Sequence, residues 1–382
     1  MEEFNDIRRA VKALCANFPG EYWRALDAER AYPTAFIAAL TRAGFLAALI
    51  PEEYGGSGLP LAAACVILEE IQAQGCNSAA CHAQMYTMGT ILLHGSAEQK
   101  ARFLPLLACG ALRLQAFGVT EPSSGTDTTA IQTFARRIGD DYIINGQKVF
   151  TSRAEHSDLM LLLARTTPRE QVDHKREGLS VFLINIREAV GYGLSLRPIR
   201  TMMNHSTCEV FIDNLHVPAM NLIGEADKGF RYILDSMNAE RILIASECVG
   251  DARWFIHKAA DYARERVVFG RSIGCNQGIQ FPIARIYAAA EAAALMVQKA
   301  AAMFDAHQPC GAEANMAKLL AAEASWQAAD MCMQTYGGYG FTEQFDVERK
   351  FRETRLYQVA PVSTNMILAY LAKHVLHLPQ SY

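Results

Sequence analysis

The chain has 382 residues, of which 51% are hydrophobic and 20% are charged, and its formal net charge at pH 7 is -4. This length leaves room for two or three domains with a large core, and the composition is typical of a soluble globular protein. The acidic charge and the lack of a basic stripe argue against a nucleic-acid partner. No apolar run is long enough to span a membrane.

The start of the chain and its cysteines indicate a reduced compartment. Residues 1–6 are acidic and polar, unlike a secretory signal or an Arg-rich transit peptide. The ten cysteines are scattered without a CxxC pair, so we expect core thiols and a cytoplasmic location. His374 and His377 could share a helix face, but no third ligand lies nearby in the sequence, so we predict no metal site there.

Residues 1–112 are predicted to form an N-terminal helical domain. Residues 36–45 have helical apolar spacing that stops at Gly44. Residues 51–60 are rich in Gly and Pro and are predicted to be a loop. Residues 61–74 form a strong helical pattern, and residues 79–94 are rich in Ala and Met, which indicates a buried helix.

Residues 113–220 change to short β-rich runs separated by turns. This spacing predicts an antiparallel barrel or sandwich. A charged stretch over residues 167–178 is most simply a solvated hairpin tip. The middle of the chain is therefore predicted to be a β-domain.

Two segments of this β-domain end in polar residues. Residues 117–127 run from an apolar strand into a Gly/Pro/Ser turn, which leaves backbone N–H groups and hydroxyls available above the strand end. Residues 140–150 are predicted to form a hairpin that turns at Asn145-Gly146. Two such strand ends side by side could form a binding surface for a flat polar ring, although an ordinary β-meander surface fits the pattern as well.

Residues 221–382 are predicted to be helical to the end. Residues 288–302 and 312–329 are rich in Ala, which suits close packing in a bundle. The chain shows no internal repeat. The expected architecture is an α+β multidomain protein.

Several separated blocks resemble the acyl-CoA dehydrogenase family. The segment Phe117-Gly-Val-Thr-Glu-Pro-Ser-Ser-Gly-Thr-Asp127 is similar to the family signature, and similar blocks begin at Pro51, Tyr262 and Tyr336. The blocks follow the family's order from about Ala43 to the C-terminus. The resemblance implies a helical domain, a middle β-domain and a C-terminal four-helix bundle. It also implies FAD, an acyl-CoA substrate and a homo-oligomer, either a dimer or a tetramer.

The resemblance assigns flavin contacts by motif position. Phe117, Val119 and Thr120 would lie against the isoalloxazine ring, and Phe150 and Ser152 would flank its other side. The family more often has Trp and Thr at the last two positions. Phe150 can still cover an apolar ring face, and Ser152 keeps a hydroxyl, so flavin binding remains the expectation.

Further residues match positions that hold the rest of the dinucleotide. The contacts that family members receive from a neighbouring subunit correspond to Arg266, Phe269 and Gln277. The remaining dinucleotide contacts correspond to Gln334, Gly338, Thr364 and Asn365. An arginine suits a diphosphate because its planar fork donates two hydrogen bonds at once, and a glycine allows close backbone approach.

The catalytic carboxylate is expected at Glu240. Many family members place their base just before the Thr-Asn pair, where this chain has Val362, and a valine cannot accept a proton. Isovaleryl-CoA and long-chain relatives carry their base directly before an arginine, and Glu240 precedes Arg241 in the same way. An apolar helix around Glu240 would raise its pKa, although an ordinary surface ion pair fits the sequence too. By resemblance, Arg241 would reach the CoA thioester arm, and Thr126 would lie near the pantetheine.

Three functions remain open on the sequence. The first is an FAD-dependent acyl-CoA dehydrogenase that passes electrons to an electron-transfer flavoprotein. The second is a relative that works as an enoyl reductase or on a carrier-bound thioester. The third is a flavin-binding or monooxygenase relative without dehydrogenase activity. Glu240 favours the first two.

Overall fold

The computed structural model describes residues 4–379, so the acidic residues 1–3 and residues 380–382 lie outside the described part. Along the chain, helices are followed by strands and then by helices again, which confirms the predicted α+β order. The chain divides into two compact units. Among the described residues, the helical unit comprises residues 4–29, 60–78 and 238–379, and the sheet unit comprises residues 30–59 and 79–237.

The first part of the chain is helical, as predicted. Its helices are α1 (Asn5–Cys15), α2 (Gly20–Glu29), α3 (Thr34–Arg42), α4 (Leu61–Ala73), α5 (Ala79–His94) and α6 (Ala97–Ala108). The chain leaves α3 at Gly44, which adopts the left-handed conformation that glycine tolerates best. Ser96 caps α6: its hydroxyl accepts from the Gln99 N–H, and the Gln99 side chain accepts from the Ser96 N–H.

The middle of the chain forms one mixed sheet. Its elements are β1 (Leu114–Gly118), β2 (Phe134–Ile138), β3 (Asp141–Ser152), β4 (Leu159–Arg165), β5 (Leu179–Asn185), α7 (Ile186–Ala189), β6 (Leu194–Ile199), β7 (Thr207–Pro218) and β8 (Leu222–Ile223). The strand order is β6-β7-β3-β2-β4-β5-β8, and β1 pairs with β4. Most pairings are antiparallel, as predicted, but β1 runs parallel to β4 and β2 makes one parallel bridge to β4.

The prediction of a turn at Asn145-Gly146 was wrong. The hairpin turns at Gly139 and Asp140, because Ile138 pairs with Asp141. Gly146 instead lies inside β3 at a register shift, where an added Cβ would come within 2.7 Å of the Thr133 Cα. The glycine is needed for this close approach of two backbones rather than for a turn.

A buried ion pair fixes the end of β1 to β3. The Lys148 ammonium lies 2.8 Å from the Glu121 carboxylate, and both side chains are almost fully buried. Lys148 also donates to the Val119 carbonyl at 3.0 Å. Glu121 accepts from the backbone N–H groups of Gln132 and Thr133, so it ties both ends of the intervening loop to the sheet.

The last part of the chain is mainly helical. Its elements are α8 (Gly229–Glu265), β9 (Val267–Val268), β10 (Arg271–Ser272), α9 (Gln277–Asp305), α10 (Gly311–Tyr336), α11 (Val347–Thr354) and α12 (Thr364–Tyr370). Residues of α8, α9, α10 and α11 share one hydrophobic core, and alanines on α10 allow close approach, as the Ala-rich pattern predicts. Among the described residues, none of the helices combines the length and the apolarity that a membrane span needs.

The expectation of helix throughout residues 221–382 needs correction at two places. Leu222–Ile223 forms β8 at the edge of the middle sheet, because it pairs with β5. Between α8 and α9 the chain forms a two-stranded ribbon of β9 and β10, which turns at Phe269 and Gly270. Both turn residues have positive φ, and a glycine at the second position makes this tight turn possible. The predicted three-domain division at residues 112 and 220 stays a prediction.

The ion pair of Lys148 and Glu121 predicts a coupled effect on stability. Lys148→Met should lower the free energy of unfolding by about 3–5 kcal/mol, because Glu121 is left as a buried charge without its partner. Adding Glu121→Gln removes that charge, so the double variant should be less destabilised than the sum of the two single variants. Urea unfolding of the wild type, the two single variants and the double variant measures the coupling. Strictly additive losses of the free energy of unfolding would contradict it.

Candidate functional site

The sheet unit brings five of the predicted flavin residues to one place. We call this set the strand-end face: Phe117, Val119, Thr120, Phe150 and Ser152. The Val149 N–H donates to the Thr120 carbonyl at 2.9 Å, which joins the end of β1 to β3. The Lys148 ammonium donates a hydrogen bond to the Val119 carbonyl. The face is therefore fixed by backbone contacts and by the buried Lys148–Glu121 pair.

The Phe150 side chain projects from the strand-end face into solvent. The pairing of β3 with β7 shifts register between Lys148 and Thr151, and Phe150 adopts φ of 59°. Phe150 is 63% exposed, whereas Ser152 stays paired opposite Thr207. An exposed aromatic ring beside hydroxyl groups can cover one side of a flat heterocycle and donate to its edge. These side chains fit an isoalloxazine ring.

Thr126 lies on an exposed turn of the same unit. Glu121 and Ser124 form a β-bridge, and the Ser124 hydroxyl donates to the Asp127 carbonyl at 2.5 Å. These contacts hold the turn in one conformation and leave Thr126 exposed to solvent. A hydroxyl in this position is available to a ligand.

The helical unit contains a cavity of about 530 Å³, which we call the ribbon cavity. It is lined by Tyr262, Arg266, Val268, Ile273, Thr335, Tyr336, Gly337, Gly338, Tyr339 and Thr342. The cavity brings together two of the predicted dinucleotide residues, Arg266 and Gly338. Phe269, Gln277 and Gln334 do not line it, although each is exposed within a few residues of a lining residue.

The chemistry of the ribbon cavity fits part of a dinucleotide. The guanidinium of Arg266 is exposed and lies 5.9 Å from the centre of the Tyr339 ring. The rings of Tyr262 and Tyr336 stack at 4.1 Å, which provides aromatic surface. A Cβ added at Gly337 or Gly338 would meet no heavy atom within 4 Å, so a ligand has room above this backbone. An arginine fork and glycine backbone together suit a diphosphate.

Thr364 and Asn365 begin α12. Ser363 caps this helix, and the Thr364 hydroxyl lies 3.3 Å from the Gln358 side-chain oxygen. Asn365 is exposed, so its amide is available to a ligand.

Sequence reasoning missed Lys318, which fixes the segment before α12. Its buried ammonium donates to the carbonyl of Val362 at 2.8 Å and also to that of Tyr357. Burial lowers the pKa of Lys318 to about 8. The only sequence signal is a single lysine in the Ala-rich run of α10. Lys318 therefore fixes the position where the family more often has its base.

Glu240 lies half-buried on α8. Burial raises the pKa of Glu240 to about 7, and the positive charge of Arg241 opposes this shift. Burial lowers the pKa of Arg241, whose Nη1 donates to the Asn238 side chain at 3.1 Å. A carboxylate with a pKa near neutrality can accept a proton and later return it at physiological pH.

The family comparisons cover almost the whole chain. Three models match: the acyl-CoA dehydrogenase N-terminal domain over residues 1–111, the middle domain over residues 116–215 and the C-terminal domain over residues 227–376.

Individual proteins agree with these matches. The acyl-CoA dehydrogenase FadE12 of Mycobacterium tuberculosis is 34% identical, and the alignment covers 100% of this chain and 98% of that protein. The 3-(aryl)acrylate reductase of Clostridium sporogenes is 31% identical over 94% of this chain and 91% of its own length. A solved structure of glutaryl-coenzyme A dehydrogenase with glutaryl-CoA is 30% identical, covers 100% of this chain and 97% of its own, and has a TM-score of 0.92.

The order of the elements, the matched models and the full-length relatives agree with one another. The chain belongs to the acyl-CoA dehydrogenase family, whose members are FAD-containing oxidoreductases.

Proposed function

We propose that this protein is an FAD-dependent acyl-CoA dehydrogenase in which Glu240 removes the α-proton of an acyl-CoA thioester. The observation that carries this proposal is the environment of Glu240: burial raises its pKa to about 7, and Val362 stands where many family members have their base. The electrons would pass to an electron-transfer flavoprotein, the partner that the family resemblance implies. The scattered cysteines without CxxC spacing support a cytoplasmic location.

Glu240 would act as a general base on the carbon next to the thioester carbonyl. The carbonyl makes this proton acidic, and a base with a pKa near the working pH transfers it most efficiently. Arg241 would bind the thioester arm beside Glu240 and keep part of its carboxylate ionised. Thr126, exposed on its turn, would donate a hydrogen bond to the pantetheine.

FAD, when bound, supplies the acceptor for the β-hydride. The strand-end face would hold its ring. The remaining contacts would come from Arg266, Phe269, Gln277, Gln334, Gly338, Thr364 and Asn365. The fit of the exposed Phe150 ring and of the ribbon cavity supports this assignment.

The protein would be a homo-oligomer, a dimer or a tetramer. Phe269, Phe281 and Leu295 of the helical unit are 102%, 58% and 66% exposed. These exposed apolar side chains are available to pack against a second copy of the chain. A second copy would also place Arg266 and Gln277 on the flavin of its neighbour.

A second candidate function keeps the same residues but runs in the other direction. The similarity to a 3-(aryl)acrylate reductase supports an enoyl reductase, in which protonated Glu240 would give its proton to the α-carbon. The direction is decided by whether an acyl-CoA bleaches the oxidised flavin or an enoyl-CoA reoxidises the reduced flavin.

Glu240→Gln should slow flavin reduction by a factor of about 10² to 10⁴, since the amide keeps the shape of the side chain but cannot accept the proton. Anaerobic stopped-flow with an acyl-CoA substrate measures this rate. Glu265→Gln, at the exposed end of the same helix, is the matched control and should leave the rate near that of the wild type. A Glu240→Gln rate within a few-fold of the wild type would exclude Glu240 as the base.

The raised pKa of Glu240 predicts the pH dependence. Flavin reduction should be slow below pH 7, where Glu240 is protonated, and should rise through about pH 7. The folded state binds this proton more tightly than the unfolded state, so Glu240 destabilises the fold above pH 7 and this cost disappears as the pH falls to about 5. Glu240→Gln should therefore raise the melting temperature at pH 8 and much less at pH 5. An equal shift at both values would contradict the assignment.

Arg266→Ala should weaken FAD retention, because it removes a charge-assisted contact to phosphate worth about 1.5–3 kcal/mol. The ratio of flavin absorbance to protein after dialysis measures the loss. Arg264→Ala removes an exposed arginine two residues earlier and is the control. A flavin-loaded monomer of the wild type on a sizing column would overturn the shared site.

A further inference from the structure

Two buried cysteines of the helical unit lie side by side and have no role in the chemistry proposed above. Cys15 is the last residue of α1, and Cys76 lies in the loop that follows α4. The Cys15 thiol donates a hydrogen bond to the Cys76 sulfur. Both side chains are thiols, and the two residues are 2% and 0% exposed. We call them the thiol pair.

The turn after α1 holds the thiol pair together. The Phe18 N–H donates to the Cys15 carbonyl at 2.9 Å, and the Phe18 carbonyl accepts from the Cys76 thiol at 3.8 Å. The indole N–H of Trp23 donates to the same carbonyl at 3.1 Å. Cys76 therefore lies against the turn that begins at Cys15, so backbone contacts as well as the side-chain contact bring the two residues together.

Two cations of α11 hold the segment that contains Cys76. The Arg349 guanidinium donates to the Gly75 carbonyl at 3.0 Å, and the Lys350 ammonium donates to the Cys76 carbonyl at 3.3 Å. Arg349 is 2% exposed and Lys350 is 0% exposed. Positive charges beside a cysteine favour its thiolate form over the thiol.

Cys76 differs in this respect from other buried cysteines of the helical unit. The hydrogen bond from Cys15 lowers the pKa of the Cys76 thiol and outweighs burial, and the nearby indole and the two cations act in the same direction. Burial instead raises the pKa of Cys332 to about 12 and holds the pKa of Cys248 well above its ordinary value. Because the thiolate is the form that attacks an oxidant, Cys76 should react before Cys332 and Cys248.

We propose that Cys15 and Cys76 form a reversible intramolecular disulfide when hydrogen peroxide oxidises the protein, and that this bond ties α1 to the end of α4. The Cys76 thiolate attacks one peroxide oxygen, the O–O bond breaks, and Cys76 becomes a sulfenic acid. The hydroxide that leaves takes up the proton that Cys76 has lost. The Cys15 sulfur then attacks the Cys76 sulfur, the S–O bond breaks, and a second water leaves. Two thiols are oxidised by two electrons, and the peroxide is reduced to two waters.

The position of α1 gives the peroxide access and gives the bond an effect. In the described part of the chain, no side chain caps the start of α1 at Phe4. A helix near a chain terminus opens more readily than an interior one, and such an opening admits a small peroxide to the thiol pair. The disulfide then closes residues 16–75 into a covalent loop, which restricts the unfolded chain. In a reducing compartment the bond would be transient.

The test uses the full-length, FAD-loaded protein and increasing doses of hydrogen peroxide. Remaining thiols are alkylated in denaturant, and peptides are analysed by mass spectrometry without a reductant. We expect a peptide pair that joins Cys15 to Cys76, is released by a reductant, and forms at doses that leave Cys332 a thiol. The same treatment in urea is the control and should spread the pairings over many cysteines. Thiols at Cys15 and Cys76 that persist after the exposed Cys109 and Cys275 are oxidised would overturn the proposal.

Variants then assign the two steps. Cys15→Ser should leave Cys76 as a sulfenic acid, which a cyclic dione labels, and Cys76→Ser should leave Cys15 a thiol at the same dose. Cys332→Ser removes another fully buried cysteine of the same unit and should form the link as the wild type does. FAD content shows whether each variant is folded. A sulfenic acid at Cys15 in the Cys76→Ser protein would overturn the assignment of Cys76 as the attacking thiol.

Thermal unfolding measures what the bond does. The linked protein should melt about 3–8 °C above the reduced protein, and a reductant should reverse this rise. Peroxide-treated Cys15→Ser should show no rise. An unchanged melting temperature in a fully linked protein would overturn the role of the bond in holding α1. None of these measurements uses a substrate, so their outcome and that of the dehydrogenase proposal are independent.

Discussion

The buried ion pair of Lys148 and Glu121 is the constraint on which the sheet unit depends. Burial would raise the pKa of Glu121, but Lys148 and the hydrogen bonds from the loop outweigh it and lower that pKa. The carboxylate stays charged, accepts two backbone N–H groups and holds the loop at residues 122–131 against the sheet. Lys148 in turn fixes the Val119 carbonyl. The strand-end face owes its shape to this pair.

Glu121 and Glu240 show how the same side chain serves two purposes. Glu121 has an ammonium partner and backbone donors, so its charge is stabilised and it acts as a structural anchor. The pKa of Glu240 is shifted in the opposite direction. It rises to about 7, because the effect of burial outweighs that of the positive charge of Arg241. An anchor must never change its charge, whereas a general base must change it in every cycle. The two environments fit these two tasks.

The helices and strands were predictable wherever the pattern is local. The apolar spacing before Gly44, the Ala-rich runs of α9 and α10 and the alternating strands all formed as expected. The turn predicted at Asn145-Gly146 did not form, because the close contact of Gly146 with Thr133 overrides the local turn preference. The contacts of Lys318 and of Cys15 with Cys76 could not be predicted, because each joins residues more than thirty positions apart in the sequence. The assignment of Glu240 came from aligning the Glu240-Arg241 pair with the family motif. Its raised pKa depends on burial in the folded protein, which the sequence alone does not show.

The central claim is that Glu240 moves the α-proton. Exchange of this proton with deuterium from the solvent measures that step alone, without the flavin reaction. An acyl-CoA analogue that cannot lose a β-hydride would be incubated in D₂O with the FAD-loaded enzyme, and deuterium at the α-carbon would be followed by mass spectrometry. The wild type should exchange the α-proton and Glu240→Gln should not, although it binds the analogue. Exchange by Glu240→Gln at the rate of the wild type would contradict the account.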